Sequence, residues 1–255
     1  MACDPSLLKP IGPGTRAVVV GAGRSGRAAT RLLRAVGASV RLLEKTPERI
    51  TADFAAWADK AGVAVLGGDH HPAQFEGADL VVPSPGAALS SLRPLLSAAS
   101  AGGEGGPEVL AETELAWRHL DGEPVIGITG TSGKTTTTSL CAAMLEAQGL
   151  TVFTGGNIGT PLSEYVLERR AGTRPEADVL VLELSSFQLQ TCQSLRPRVG
   201  VLLNIAENHL DYHRDMAEYI EAKMRLFRCQ TPADLAVVAP SLTGLPERFH
   251  IRSRL

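Results

Sequence analysis

An α/β fold built from two successive, mainly parallel-sheet units is what this 255-residue sequence predicts, on three observations. Short β-branched runs alternate with stretches of helical periodicity. Two of those runs end in glycine-rich turns that open helices, at Gly21-Ala22-Gly23-Arg24-Ser25-Gly26 and at Gly130-Thr131-Ser132-Gly133-Lys134-Thr135-Thr136. Between them, Ala101-Gly102-Gly103-Glu104-Gly105-Gly106-Pro107 has the most flexible composition in the chain, which sets the expected domains at 1–110 and 111–255.

In the first unit, Thr15 to Val20 reads as an apolar strand entering the first glycine turn, followed by a helix carrying Ala28, Ala29, Leu32, Leu33 and Val36. A second strand, Ser39 to Leu43, ends at Glu44, near the spacing at which an acid reads a ribose hydroxyl. Taken alone, this pattern reads as NAD binding; close helix–strand packing is the other reason for glycines at Gly21, Gly23 and Gly26. Further strands fall at Val63 to Leu66 and Leu80 to Val82, the latter running into Pro83-Ser84-Pro85-Gly86. Ser84 is either part of a plain turn or a ligand contact on a post-strand loop, where open α/β sheets bind their ligands. A helix around Leu92 to Ser100, a short strand at Glu108 to Leu110 and a helix from Glu112 to Leu120 lead into the second unit.

There, Val125 to Ile128 feeds the second glycine turn, and a helix runs on to Ala147. Consecutive amides of such a turn converge on one anion, and the helix dipole adds positive potential. Lys134 can reach β- and γ-phosphate oxygens, and Thr135 can ligate Mg²⁺. Ile128 stands where the common G-x-x-x-x-G-K-[ST] pattern has glycine, so the loop is a variant. Gly155-Gly156-Asn157-Ile158-Gly159 presents one amide side chain among residues that expose backbone. The strand Asp178 to Leu182 ends at Glu183, a position from which a carboxylate holds Mg²⁺ beside a phosphate loop, the alternative being a surface acid. Val199 to Leu203 leads to Asn204 and Glu207-Asn208-His209-Leu210-Asp211, where His209 is a ligand or simply a hydrogen-bonded ring. In the helix Met216 to Phe227, the inward face carries Tyr219, Ile220, Lys223 and Phe227. Lys223 either snorkels to water or is a partly buried amine that loses its proton readily and can take up CO₂ as a carbamate.

A formal net charge of −2 gives no broad basic field, which argues against nucleic acid and membrane surfaces as partners and for small molecules bound by local loops. The start of the chain lacks a signal-peptide pattern, and no run approaches the roughly 18 apolar residues of a membrane span, so a cytoplasmic location is expected. Cys3, Cys141, Cys192 and Cys229 are scattered, with no C-x-x-C pair. Reduced thiols, without a zinc site or disulfide framework, are therefore expected.

The segments Gly130 to Thr136, Gly155 to Gly159, Glu183-Leu184-Ser185-Ser186-Phe187-Gln188-Leu189 and Asn204 to Asp211 resemble, in matching order, those of the Mur ligases. The resemblance covers residues 15 to about 240. Phe187-Gln188 and the Gly-x-Gly-x-Ser-Gly turn are most similar to the branch that joins D-glutamate to UDP-N-acetylmuramoyl-L-alanine in peptidoglycan precursor synthesis. It implies a Rossmann-like N-terminal domain holding the UDP substrate, in place of NAD, and a P-loop NTPase-like central domain holding ATP. It also implies a monomer. By the same resemblance Gly130 through Thr136 hold the nucleotide, with Lys134 the loop lysine. Thr135 and Glu183 are ligands of one Mg²⁺, and His209 and Lys223, as a carbamate, surround a second. Gly23, Ser25, Gly26, Glu44, Ser84, Asn157 and Ser185 contact substrate. Asn208, where the family often has an acid, and Thr46, where some members have a basic residue, depart from the pattern.

The family's third domain, which supplies much of the amino-acid site, has no counterpart in these residues. Leu242 to Phe249 resembles the junction into that domain yet directly follows Ala239-Pro240, so the central unit reads as incomplete after 240. On this reading the chain binds the UDP substrate without making the amide. The competing expectations are a substrate-binding remnant and an NAD-dependent oxidoreductase fused to an NTPase.

Overall fold

The computed structural model describes residue 3 and residues 8–100, 106–208 and 212–255. Five parallel strands form the first sheet: β1 (Arg16–Val20), β2 (Ser39–Glu44), β3 (Ala64–Gly67), β4 (Leu80–Pro83) and β5 (Glu108–Val109). Their order is β3-β2-β1-β4-β5. The crossovers between them carry α1 (Arg24–Ala35), α2 (Ala52–Lys60) and α3 (Leu89–Ala99). Val18, Val19, Leu42, Leu43, Val81 and Val82 are fully or almost fully buried. That is the expected state of a parallel sheet covered on both faces, and it explains why these strands read as continuous apolar runs.

After α4 (Glu112–Trp117) a second parallel sheet follows, from β6 (Val125–Thr129), β7 (Val152–Gly156), β8 (Val179–Glu183), β9 (Val199–Leu202) and β10 (Leu235–Val238). The order is β10-β9-β6-β8-β7, with the phosphate-loop strand at the centre. Its helices are α5 (Lys134–Glu146), α6 (Leu162–Arg170), α7 (Ser186–Leu189), α8 (Met216–Met224) and α9 (Gly244–Arg248). Beyond β10, the Ala236 amide donates to the Arg254 carbonyl at 2.7 Å, so the final residues give this edge a further backbone partner.

Packing of α1, α4 and α6 joins the halves, and one apolar cluster runs from Leu32 and Leu33 through Leu115 to Tyr165 and Leu182. Glu114, fully buried, fastens α4 within the second half. Its carboxylate accepts from the Ser194 amide (2.9 Å), the Ser194 hydroxyl (2.6 Å), the Leu195 amide (3.0 Å) and the Arg118 guanidinium (3.0 Å). Four donors satisfy a charge that would otherwise be costly to bury.

One expectation is corrected here. Cys3 and Cys229 form a disulfide with Cα atoms 5.0 Å apart, within the range such a bridge spans, while Cys141 and Cys192 are free thiols. A separation of 226 residues carries no local spacing signal, so only the fold brings the pair together.

Candidate functional site

The second glycine turn lies at the head of the central strand β6. Gly127 is not part of the turn: it is a strand residue whose added Cβ would meet Leu226 at 2.8 Å. Ile128 is buried in the sheet. The strand thus extends to Thr129, and the loop proper begins at Gly130. Gly133, at φ +77°, has the left-handed conformation that glycine adopts at little cost and caps α5. Asn204, just past β9, braces the turn: its Oδ1 accepts from the Thr131 and Ser132 amides at 3.0 and 2.9 Å, and its Nδ2 donates to the Ser132 carbonyl at 3.1 Å. Lys134 bends back along the turn and donates to the Thr131 carbonyl at 3.0 Å. Ser132 and Thr136 are exposed.

Beside the loop, the Thr135 hydroxyl donates to Glu183 Oε2 at 2.7 Å and Asn157 Nδ2 donates to Glu183 Oε1 at 2.8 Å. The chain brings Asn157 there through an approach only glycine permits. At Gly156, φ is +97° and a Cβ would lie 2.4 Å from the Glu183 carbonyl, which accepts from the Asn157 amide at 2.8 Å. Thr135 and Glu183, expected as ligands of one Mg²⁺, and Asn157, expected as a substrate contact, therefore converge. Ser185 acts locally, closing the start of α7 in a capping box with Gln188.

Lys223 is 2% exposed, so it does not snorkel. Its Nζ donates to the Gly130 carbonyl at 2.9 Å and lies 4.6 Å from the Tyr219 ring centroid. Burial, with the nearby Lys134 charge, pulls its pKa down to about 7. His209 lies outside the described residues, as do Leu210 and Asp211. Among the described residues no group of three or more His, Cys, Asp or Glu side chains forms a metal cluster.

A cleft of about 810 Å³ lies at the carboxyl ends of the first sheet's strands, lined by Gly21, Gly23, Arg24, Ser25, Glu44, Lys45, Thr46, Ser84 and Gly86 among others. Gly26 lies behind it, where a Cβ would collide with the Gly21 carbonyl at 1.8 Å. Gly23, by contrast, faces open space, as required where backbone is to meet a ligand. The Ser84 hydroxyl donates to the Gly21 carbonyl at 3.1 Å and ties the opposite wall to the turn. Glu44 accepts from the Ala22 amide at 2.6 Å and from the Thr46 amide at 2.9 Å. Its carboxylate therefore shapes the cleft, a role the ribose-reading pattern did not suggest. Asn204 and Tyr219 are the other residues that reasoning from sequence left without a role. An amide residue directly after a strand opposite a phosphate loop was the one available signal for Asn204.

Fold and loop together define a two-sheet α/β protein with a variant P-loop. Residues 128–242 match the family profile described as the Mur ligase middle domain. It is 62% identical over its whole length to the UDP-N-acetylmuramoylalanine--D-glutamate ligase of Nitratidesulfovibrio vulgaris (strain DSM 19637 / Miyazaki F), covering 57% of that protein. It is 55% identical over 98% of its length to the protein of the same name in Oleidesulfovibrio alaskensis, covering 55% of it. The chain thus spans a little over half the length of these relatives. The first alignment runs over 257 positions for a chain of 255, which leaves no room for the internal loss of several strands after Ala239-Pro240 relative to that protein. Among solved structures, the MurF ligase of Thermotoga maritima in complex with ADP is 23% identical over 72% of this chain and 48% of its own, with a TM-score of 0.45.

Proposed function

We propose that the chain forms the UDP-substrate- and ATP-binding part of an ATP-dependent ligase that joins D-glutamate to UDP-N-acetylmuramoyl-L-alanine. The observation that carries this reading is the convergence of Thr135, Glu183 and Asn157 beside the loop of Lys134, in a chain 62% identical to a protein of that name. A carboxylate resists attack by an amine because it is anionic and has no leaving group; ATP supplies the remedy by transferring its γ-phosphoryl group to give an acyl phosphate. The chain's share of the work is charge neutralisation and alignment.

In this reading Gly130 to Thr136 hold the triphosphate, with Lys134 exchanging its Thr131 carbonyl contact for phosphate oxygens. The Thr135 hydroxyl and the Glu183 carboxylate form a hard-oxygen pair that suits Mg²⁺, which usually keeps several waters and takes few protein ligands. Asn157 fixes the Glu183 rotamer. A second Mg²⁺ near His209 and Lys223 rests on the family resemblance, and an amine titrating near 7 is suited to form the carbamate such a site requires. The first cleft, about 810 Å³, has room for a nucleoside diphosphate portion over Gly23, Ser25 and the start of α1, with Glu44, Ser84 and Thr46 as its walls. Domains at 1–110 and 111–255, action in the cytoplasm and a monomeric state complete the proposal.

Phosphate release from ATP tests it. Release that requires UDP-N-acetylmuramoyl-L-alanine is the expected result; release indifferent to that ligand, or none at all, contradicts it.

A further inference from the structure

Tyr219 is fully buried on α8, yet its hydroxyl reaches the phosphate loop and its ring reaches Lys223, which binds that loop. The hydroxyl lies 3.0 Å from Thr131 Oγ1, within hydrogen-bond distance. The Thr131 hydroxyl has one proton, given to the Ala206 carbonyl at 3.3 Å, and two acceptor sites, one taken by the Ala206 amide at 2.9 Å. On the same side chain, the ring centroid lies 4.6 Å from Lys223 Nζ, which itself donates to the Gly130 carbonyl at 2.9 Å. Two consecutive loop residues, Gly130 and Thr131, are thereby fixed by one tyrosine, directly and through a lysine one helical turn on. On its other side the ring meets His213 edge-on at 5.3 Å, and His213 Nε2 lies 2.9 Å from the Ser186 hydroxyl at the start of α7.

We infer that Tyr219 is a positioning residue for nucleotide binding: it holds Thr131 and Gly130 of the phosphate loop in the arrangement that receives a triphosphate. The inference rests on the nucleotide-binding reading above. Removing the hydroxyl alone leaves the ring, the Lys223 contact and the packing in place, while freeing the Thr131 side chain from α8.

The test is calorimetric titration of the full chain with a Mg²⁺-loaded, non-hydrolysable ATP analogue and, separately, with UDP-N-acetylmuramoyl-L-alanine. Tyr219→Phe is expected to weaken the ATP analogue about 3- to 10-fold, the range for one lost hydrogen bond, and to leave the UDP ligand unchanged within twofold. Thr131→Val, which also removes the two Ala206 contacts, should weaken it at least as much, and the double variant should cost no more than Thr131→Val alone, since the bond to Tyr219 is already lost there. A purely structural role would lower both ligand affinities together, or give additive losses. Unchanged analogue affinity in Tyr219→Phe beside a wild type that binds would overturn the inference alone. A wild type that fails to bind the analogue would reject the nucleotide reading and the inference with it.

Discussion

Glu112 and Lys223 show how burial, more than neighbouring charge, sets the chemistry of single residues in this chain. The Glu112 carboxyl is 2% exposed; Oε1 accepts from the Ser163 amide at 2.6 Å and Oε2 has no hydrogen-bond partner among the described residues. Burial raises its pKa from 4.5 to about 7. The folded protein therefore holds a proton that the unfolded chain releases, so stability falls as pH rises from about 4.5 to about 7 and stays at the lower level above that. Glu112→Gln should flatten this slope and raise stability at pH 8 by up to about 3 kcal/mol, read from urea denaturation at pH 5 and pH 8. A steeper slope in the variant would show the burial argument to be wrong. For Lys223 the expected outcome is a carbamate carbon signal in NMR of protein equilibrated with ¹³C-bicarbonate and Mg²⁺-nucleotide, lost in Lys223→Ala. No such signal would leave the amine as a tether of the Gly130 carbonyl. Lys134→Ala should cost about 1.5–3 kcal/mol of ATP-analogue affinity, the worth of a charge-assisted contact, with the melting temperature little changed. Its hydrogen bond among the described residues is to the Thr131 carbonyl, and equal analogue affinity in the variant would remove the lysine from the site.

At the scale of elements, the loops between strands and helices carry the site, and backbone geometry decides what they can be. The turn after β7 approaches β8 so closely that Gly156→Ala, with φ +97° and a Cβ 2.4 Å from the Glu183 carbonyl, must shift the segment bearing Asn157. We expect a loss of stability of at least about 1 kcal/mol together with weakened binding of the Mg²⁺-nucleotide, checked by denaturation and calorimetry on one preparation. Stability and affinity both at wild-type level would refute the close approach. Much of this was legible in the sequence. Glycines bounded by β-branched runs and helical periodicity located both loops, the acid at the end of β8 and the inward face of α8. Other roles were not legible because they depend on partners far away in the chain. Glu44 falls at the spacing of a ribose-reading acid, yet its oxygens take the amides of Ala22 and Thr46, a fact set by how β1 and β2 lie together. Asn204 acts through amides 72 and 73 residues earlier, and its place directly after a strand is the one local hint of that.

For the whole molecule, the claim is that two parallel sheets, each with a glycine-rich loop at the carboxyl ends of its strands, are held in one body so that two anionic ligands can be brought together. The packing of α1 against α4 and α6 joins the halves, and the Cys3–Cys229 bridge ties the N-terminal segment to the second of them. Reduction of that bridge should lower stability by about 2–4 kcal/mol, seen as a drop in melting temperature with dithiothreitol that is absent in Cys229→Ser. The expectation of reduced thiols failed for a reason of scale: a contact across 226 residues belongs to the fold and to no segment of it. Calorimetric titration of one sample of the chain with UDP-N-acetylmuramoyl-L-alanine, a Mg²⁺-loaded ATP analogue and NADH tests the central claim most directly. Binding of the first two at one site each, with neither displacing the other and no heat from NADH, is the result predicted. Binding of NADH with no response to the UDP ligand, or competition between the UDP ligand and the nucleotide for a single site, would contradict it.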